Sequence, residues 1–101
     1  MSYELEFKKS ALKEWEKLDA VVKSQFKKKL AQRLENPRVP SAALAGAQDL
    51  YKIKLRKLGY RLVYLIHEKT ITVTVIAVGK RNKNQVYELA LVQRRQQLTQ
   101  G

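Results

Sequence analysis

The chain contains no cysteine and a single histidine, His67. Disulfides and thiolate metal sites are therefore excluded, and no histidine pair exists to hold a metal. The missing thiols fit a reducing compartment. Proline and glycine are scarce, at two and four residues, and the glycines stand singly, so there is no Gly-rich phosphate loop. Long apolar runs are absent too: the longest, Leu62 to Ile66, is far short of the ~20 residues that span a bilayer. The start, Met1-Ser2-Tyr3-Glu4, has an early acid and no apolar segment behind it, unlike a secretory signal. Acidic residues are the last deficit: nine stand against 21 Lys and Arg, a net charge of +12. Such an excess concerns partners, not fold. It favours a polyanion: RNA, DNA, an acidic protein or an anionic membrane surface. We expect a soluble cytoplasmic protein that does not cross a membrane.

What is present is a globular composition, 45% hydrophobic and 30% charged over 101 residues. It predicts one domain over 1–101 with a single modest core. The richest stretch runs from Tyr51 to Tyr87. Tyr51-Lys52-Ile53-Lys54-Leu55-Arg56, Tyr60 through Ile66 and Ile71 through Val78 are three β-type runs. Lys57-Leu58-Gly59 and His67-Glu68-Lys69 connect them, and connections this short predict antiparallel neighbours. Side chains alternate between faces along a strand. Lys52 and Lys54 therefore share a face with Leu50 and Arg56, while Tyr51, Ile53 and Leu55 take the other. A core needs the second set and not the first. Cations directly opposed on one face repel by up to ~1 kcal/mol per pair. An anionic ligand is the simplest compensation.

The flanks fill in the order of elements. Tyr3, Leu5 and Phe7 alternate with Ser2, Glu4 and Glu6, the period of a half-buried strand. Ser10 is expected to cap a helix whose apolar face is Ala11, Leu12, Trp15 and Leu18, with Trp15 in the core. Asp19 is expected to cap a second helix, buried along Val22, Phe26, Leu30 and Leu34 and ended by Asn36-Pro37. Lys27, Lys28 and Lys29 read either as a solvated face or as a contact with phosphate backbone. Residues 37–47 form a loop. Gly79 to Asn84 is turn-prone, and a last helix starts near Asn84 with a thin stripe of Val86, Leu89, Ala90 and Leu98. The tail after about residue 93 is expected to fray or be disordered. The fold class is α+β: an N-terminal strand, a helical hairpin, an antiparallel sheet meander and a C-terminal helix.

Several chemistries fall away. His67 sits at a hairpin tip and reads as a solvated turn residue, so a Ser-His-Asp triad has no support. What remains is cationic and phenolic. Lys52, Lys54 and Arg61 should lie near one another on one sheet face. Arg81 leaves the end of the third long strand, and Tyr87 follows six residues later. Four cations and a phenol can surround one phosphodiester. Spacing alone leaves open an ordinary basic surface that binds nucleic acid without cutting it.

At these residues the sequence resembles the RelE family of toxins, ribosome-dependent mRNA endonucleases of toxin–antitoxin pairs. Ala11-Leu12-Lys13-Glu14-Trp15 with Lys17-Leu18 is similar to the family's first helix. The most specific segments are Tyr51 to Arg56, Gly59-Tyr60-Arg61-Leu62-Val63-Tyr64 and Val78-Gly79-Lys80-Arg81. The resemblance covers nearly the whole chain and implies a microbial-ribonuclease-like α+β domain. It also implies attack of a ribose 2′-hydroxyl on the adjacent phosphate of mRNA in the ribosomal A site, without metal or other cofactor. By the same carry-over Tyr87 would be the general base. Arg81 would stabilise the leaving oxygen or protonate it. Lys52, Lys54 and Arg61 would hold the phosphate and stabilise its developing charge. The implied partners are mRNA, the A site with its 16S rRNA, and a RelB-like antitoxin through which operator DNA is reached. An acidic antitoxin would cover the basic cleft or displace the last helix. The chain departs from the family at Ala45, where a basic residue is common, and at Asn82 and Lys83. Two other readings stand beside this one: a ParE-like gyrase inhibitor of the same fold, and a non-catalytic RNA- or ribosome-binding module.

Overall fold

A four-stranded sheet carries helices on both faces. The computed structural model describes residues 2–80 and 85–100. In chain order the elements are β1 (Glu4–Phe7), α1 (Lys9–Glu16), α2 (Ala20–Glu35), a single 3-10 turn (Pro40–Ala42), β2 (Leu50–Leu55), β3 (Tyr60–His67), β4 (Thr72–Lys80) and α3 (Gln85–Gln100). The spatial strand order is β1-β4-β3-β2. β2, β3 and β4 form the expected antiparallel meander, whereas β1 joins β4 in parallel, with Glu4 beside Thr72 and Phe7 beside Val75. Among the described residues no helix is long and apolar enough to cross a membrane.

The parallel ladder also decides where α1 begins. The Lys8 amide still donates to the Val75 carbonyl at 2.9 Å, as the last rung of the β1–β4 pairing. Lys8 is extended and is the N-cap, with no side-chain cap, so Ser10 lies inside the helix and not at its cap. Asp19 does cap α2: its Oδ1 accepts from the Val22 amide at 2.9 Å. That bond satisfies one of the amides a helix start leaves orphaned. Asn36 terminates the helix before Pro37.

The α1–α2 hairpin covers one face of the sheet. Ala11, Trp15, Val22, Phe26 and Leu30 pack there against Ile53, Leu55, Leu62, Tyr64, Val73, Val75 and Val78. Trp15 lies between Phe7, at 5.1 Å between ring centroids, and Phe26, at 6.0 Å. Full burial of side chains of this size stabilises by roughly 1.5–3 kcal/mol each. Leu12, expected on this face, is exposed.

The other face corrects the sequence reading. Leu50, grouped there with Lys52 and Lys54 as unneeded by a core, is only 1% exposed. It joins Leu44, Val63, Leu65, Ile76 and Ala77 in a second apolar cluster closed by Val86 and Ala90 of α3. The register of β4 slips at this point: Val63 pairs with Ala77 and Tyr64 with Val75, leaving Ile76 as the extra residue of a β-bulge. Ile76 and Ala77 therefore both turn toward α3. The backbone of α3 is helical over Gln85–Gln100 and so includes the segment after residue 93 for which the composition suggests fraying.

Candidate active site

Alternation and register put the cations where the sequence suggests. Lys54 lies directly across from Arg61, and Lys52 across from Val63, one pleat further along the same face. Arg61 in turn pairs with Gly79 of β4. Tyr87 is in the first turn of α3, which crosses this face. Its ring centroid lies 4.9 Å from Cζ of Arg61 and 5.7 Å from Nζ of Lys52. Cation–π attraction at such distances is worth ~0.5–1 kcal/mol when exposed and ~2 kcal/mol when desolvated. The structure thus brings Lys52, Arg61 and Tyr87 into one group and sets Lys54 beside them. Arg81 lies outside the described residues, as do Asn82 and Lys83.

At Gly79 the first turn of α3 lies close against β4. A Cβ built there would lie 3.4 Å from Cγ2 of Val86, so a larger side chain would push the helix away from β4. With glycine the first turn of α3 settles onto the strand, and the residue after Val86 falls over Arg61.

The Tyr87 hydroxyl is shut off from solvent and has no hydrogen-bond partner among the described residues. Burial raises its pKa above the ordinary value, against the opposing pull of the Arg61 guanidinium. The phenol is therefore neutral at neutral pH. A cleft of about 280 Å³ opens beside Lys54 and Arg61, walled also by Leu55, Arg56 and Tyr60. Lys52 and Tyr87 are not part of its lining.

β2 is an edge strand, and one support for it was not anticipated. Arg33 of α2 donates through Nη1 to the Lys52 carbonyl at 3.1 Å and to the Tyr64 hydroxyl at 2.9 Å. Tyr64 donates onward to the Pro37 carbonyl at 2.6 Å. The backbone that carries Lys52 is thereby tied to the end of α2. Nothing in the sequence marks Arg33 among the other basic residues of that helix. Tyr64 carried a weak signal, as the one hydroxyl-bearing residue in an apolar run that needs a partner when buried. Ala45 is exposed, and His67 ends β3 half-buried rather than solvated at a turn tip.

Among known proteins, the family described as the ParE toxin of the type II toxin–antitoxin system parDE matches residues 5–85. The mRNA interferase toxin RelE of Escherichia coli is 50% identical over 91 residues, which covers 90% of this chain and 96% of the relative. A mutant E. coli RelE solved in the free state superposes with a TM-score of 0.85 at 49% identity, covering 91% of this chain and 97% of that one. RelE in the intact E. coli RelBE toxin–antitoxin complex gives a TM-score of 0.78 at 50% identity, covering 81% of this chain and 100% of that one. With the fold, the cationic strand pair and these matches together, the chain belongs to the RelE/ParE family of type II toxins.

Proposed function

We propose that this protein is the toxin of a type II toxin–antitoxin pair and cuts mRNA in the ribosomal A site. The reaction is attack of a ribose 2′-hydroxyl on the adjacent phosphate. The observation that carries this reading is Tyr87, whose ring rests over Arg61 and Lys52.

In the proposed step the Tyr87 oxygen takes the 2′-proton as the 2′-oxygen bonds to phosphorus and the 5′-oxygen departs. The products are a 2′,3′-cyclic phosphate and a 5′-hydroxyl end. Lys52, Lys54 and Arg61 hold the phosphate and stabilise the charge that builds on its oxygens. Arg81 stabilises or protonates the leaving oxygen. A phenol whose pKa is raised by burial is a scarce base at neutral pH. Much of the acceleration must then come from alignment of the 2′-oxygen with the phosphate, which the A site supplies by holding the mRNA. Naked RNA should be cut slowly.

The test is a translation extract with the 5′ ends of its mRNA mapped. Codon-phased cuts are expected. Tyr87→Phe and Arg81→Ala should each lower cleavage by at least ~10²-fold with ribosome binding retained. Intact mRNA with loss of gyrase supercoiling would transfer the chain to the ParE branch. Intact mRNA and unaffected gyrase would leave a binding module.

The partner is a RelB-like antitoxin, in keeping with the RelE relative solved in complex with one. On α3, Val86 and Ala90 are buried, while Leu89, Leu91 and Val92 are exposed, so the helix is held by few apolar side chains among those described. An antitoxin that displaces α3 carries Tyr87 away from Arg61 and silences the site without filling the cleft. Hydrogen exchange over residues 85–94 should accelerate when antitoxin binds; equal protection with and without it would reject displacement.

A further inference from the structure

The three consecutive lysines of α2 look equivalent in the sequence but are not in the fold. Successive helical residues are rotated by about 100°, so the three point in different directions. Lys27 lines an apolar groove beside β1, with Leu5, Phe7 and Trp15 among its walls. Lys28 is exposed and lines neither that groove nor the one on the other side of α2. Lys29 lines the second groove, of about 580 Å³, together with Lys54, Arg56 and Lys57 from the end of β2 and the turn after it. None of the residues lining this second groove is acidic.

This groove borders the small cleft beside the candidate active site. Lys54, Leu55 and Arg56 wall both it and the smaller cleft that holds Arg61 and Tyr60. A cationic path therefore runs from Arg61 around the end of β2 to Lys29. Its rim is apolar as well as charged: Val21 is 60% exposed and Leu58 40% exposed. Tyr60 stands half-buried in the wall of the smaller cleft. Cations interleaved with apolar and aromatic side chains suit a single strand, whose phosphates and base faces are both available. A duplex offers its phosphates and keeps its base faces stacked.

We propose that this groove holds single-stranded RNA as it continues from the scissile phosphate. Lys29 and Lys57 contact its phosphates, and Val21 and Leu58 contact its bases. The proposal rests on the endoribonuclease reading for the identity of the strand. It assigns a function to Lys29 alone among the three lysines.

The probe is a 2′-O-methyl RNA strand of about 12 nucleotides, within the site sizes of single-strand binders and unable to undergo 2′-hydroxyl attack. Binding to the full chain is followed by fluorescence anisotropy over a salt series. Lys29→Ala and Lys57→Ala should each reduce the log–log salt slope by about 0.7 and weaken binding about fivefold at 0.1 M relative to 1 M salt. Lys28→Ala, an equal change of charge on the same helix, should leave both unchanged. A dinucleotide, which reaches only the phosphate site, should not distinguish Lys29→Ala from the unsubstituted protein. All three lysines are exposed, so melting temperatures should agree. Equal effects of Lys28→Ala and Lys29→Ala would overturn the proposal in favour of diffuse attraction. So would a Lys29→Ala defect confined to duplex RNA or to an acidic peptide. Because the probe cannot be cut and no ribosome is present, these results are independent of the translation-extract assay, in which the endoribonuclease reading stands or falls.

Discussion

The two faces of the sheet solve different problems with the same alternating strands. Under the α1–α2 hairpin the buried strand side chains are apolar, apart from Tyr64, whose hydroxyl has partners. Under α3 the face is divided. Leu50, Val63, Leu65, Ile76 and Ala77 form an apolar half, and Lys52, Lys54 and Arg61 a cationic half. The hairpin face supplies the larger share of buried aromatic and aliphatic volume, so it fixes the strands. The α3 face is then free to crowd like charges opposite one another, an arrangement that destabilises a sheet. Stability and chemistry are separated by the thickness of one sheet.

Substitutions on either face should therefore behave differently. The largest effect is expected from Phe26→Ala, fully buried under the hairpin, which should cost about 3–5 kcal/mol in a urea melt. Cleavage per folded molecule should be unchanged. If it falls as well, the separation fails. Next comes Gly79→Val. Overpacking against Val86 should cost about 1–3 kcal/mol and move α3 off β4. Cleavage should drop further than stability accounts for, since Tyr87 rides on that helix. A stable variant with full activity would show that Tyr87 reaches its site by another route.

The smallest effect is the response to pH. If Tyr87 is the base, cleavage should rise about tenfold per unit through the neutral range, because its raised pKa keeps the phenolate scarce there. Tyr87→Phe should flatten that rise. The same group also links to stability. Its folded pKa lies above its unfolded value near about 10, so its contribution is complete below that value. It is lost as pH climbs through the folded value, and alkaline unfolding should be milder in Tyr87→Phe.

Much of this was legible because period-two alternation is local. Lys52 and Lys54 had to share a face, the short turn at Lys57-Leu58-Gly59 had to bring Arg61 back toward them, and Asp19 had to cap α2. The misreadings are tertiary. Leu50 looked dispensable because nothing local says that α3 lies over it. Ser10 looked like a cap because the parallel ladder that carries β1 on through Lys8 involves a strand more than 60 residues away. Ile76 gave no sign of its bulge, since apolar residues follow one another there and suit either phase. Lys27, Lys28 and Lys29 could not be told apart without the neighbours of each. Gly79 read only as the start of a turn-prone stretch, because its neighbour, the side chain of Val86, is brought there by α3.

The extra residue at Ile76 offsets the numbering of β4 by one and puts two consecutive side chains on the α3 face. Up to Val75 the odd-numbered residues of β4 look toward the α1–α2 hairpin; beyond the slip the even-numbered Val78 does so and Gly79 looks the other way. Deleting Ile76 would restore plain alternation and leave those faces as they are: Ala77 would still pair with Val63, Val78 would still look toward the hairpin, and Gly79 would still lie opposite Arg61. The bulge is thus an added foothold rather than a lock on register: it gives α3 two consecutive side chains, Ile76 and Ala77, to sit on, and its loss should loosen that helix without turning Gly79 away from Arg61.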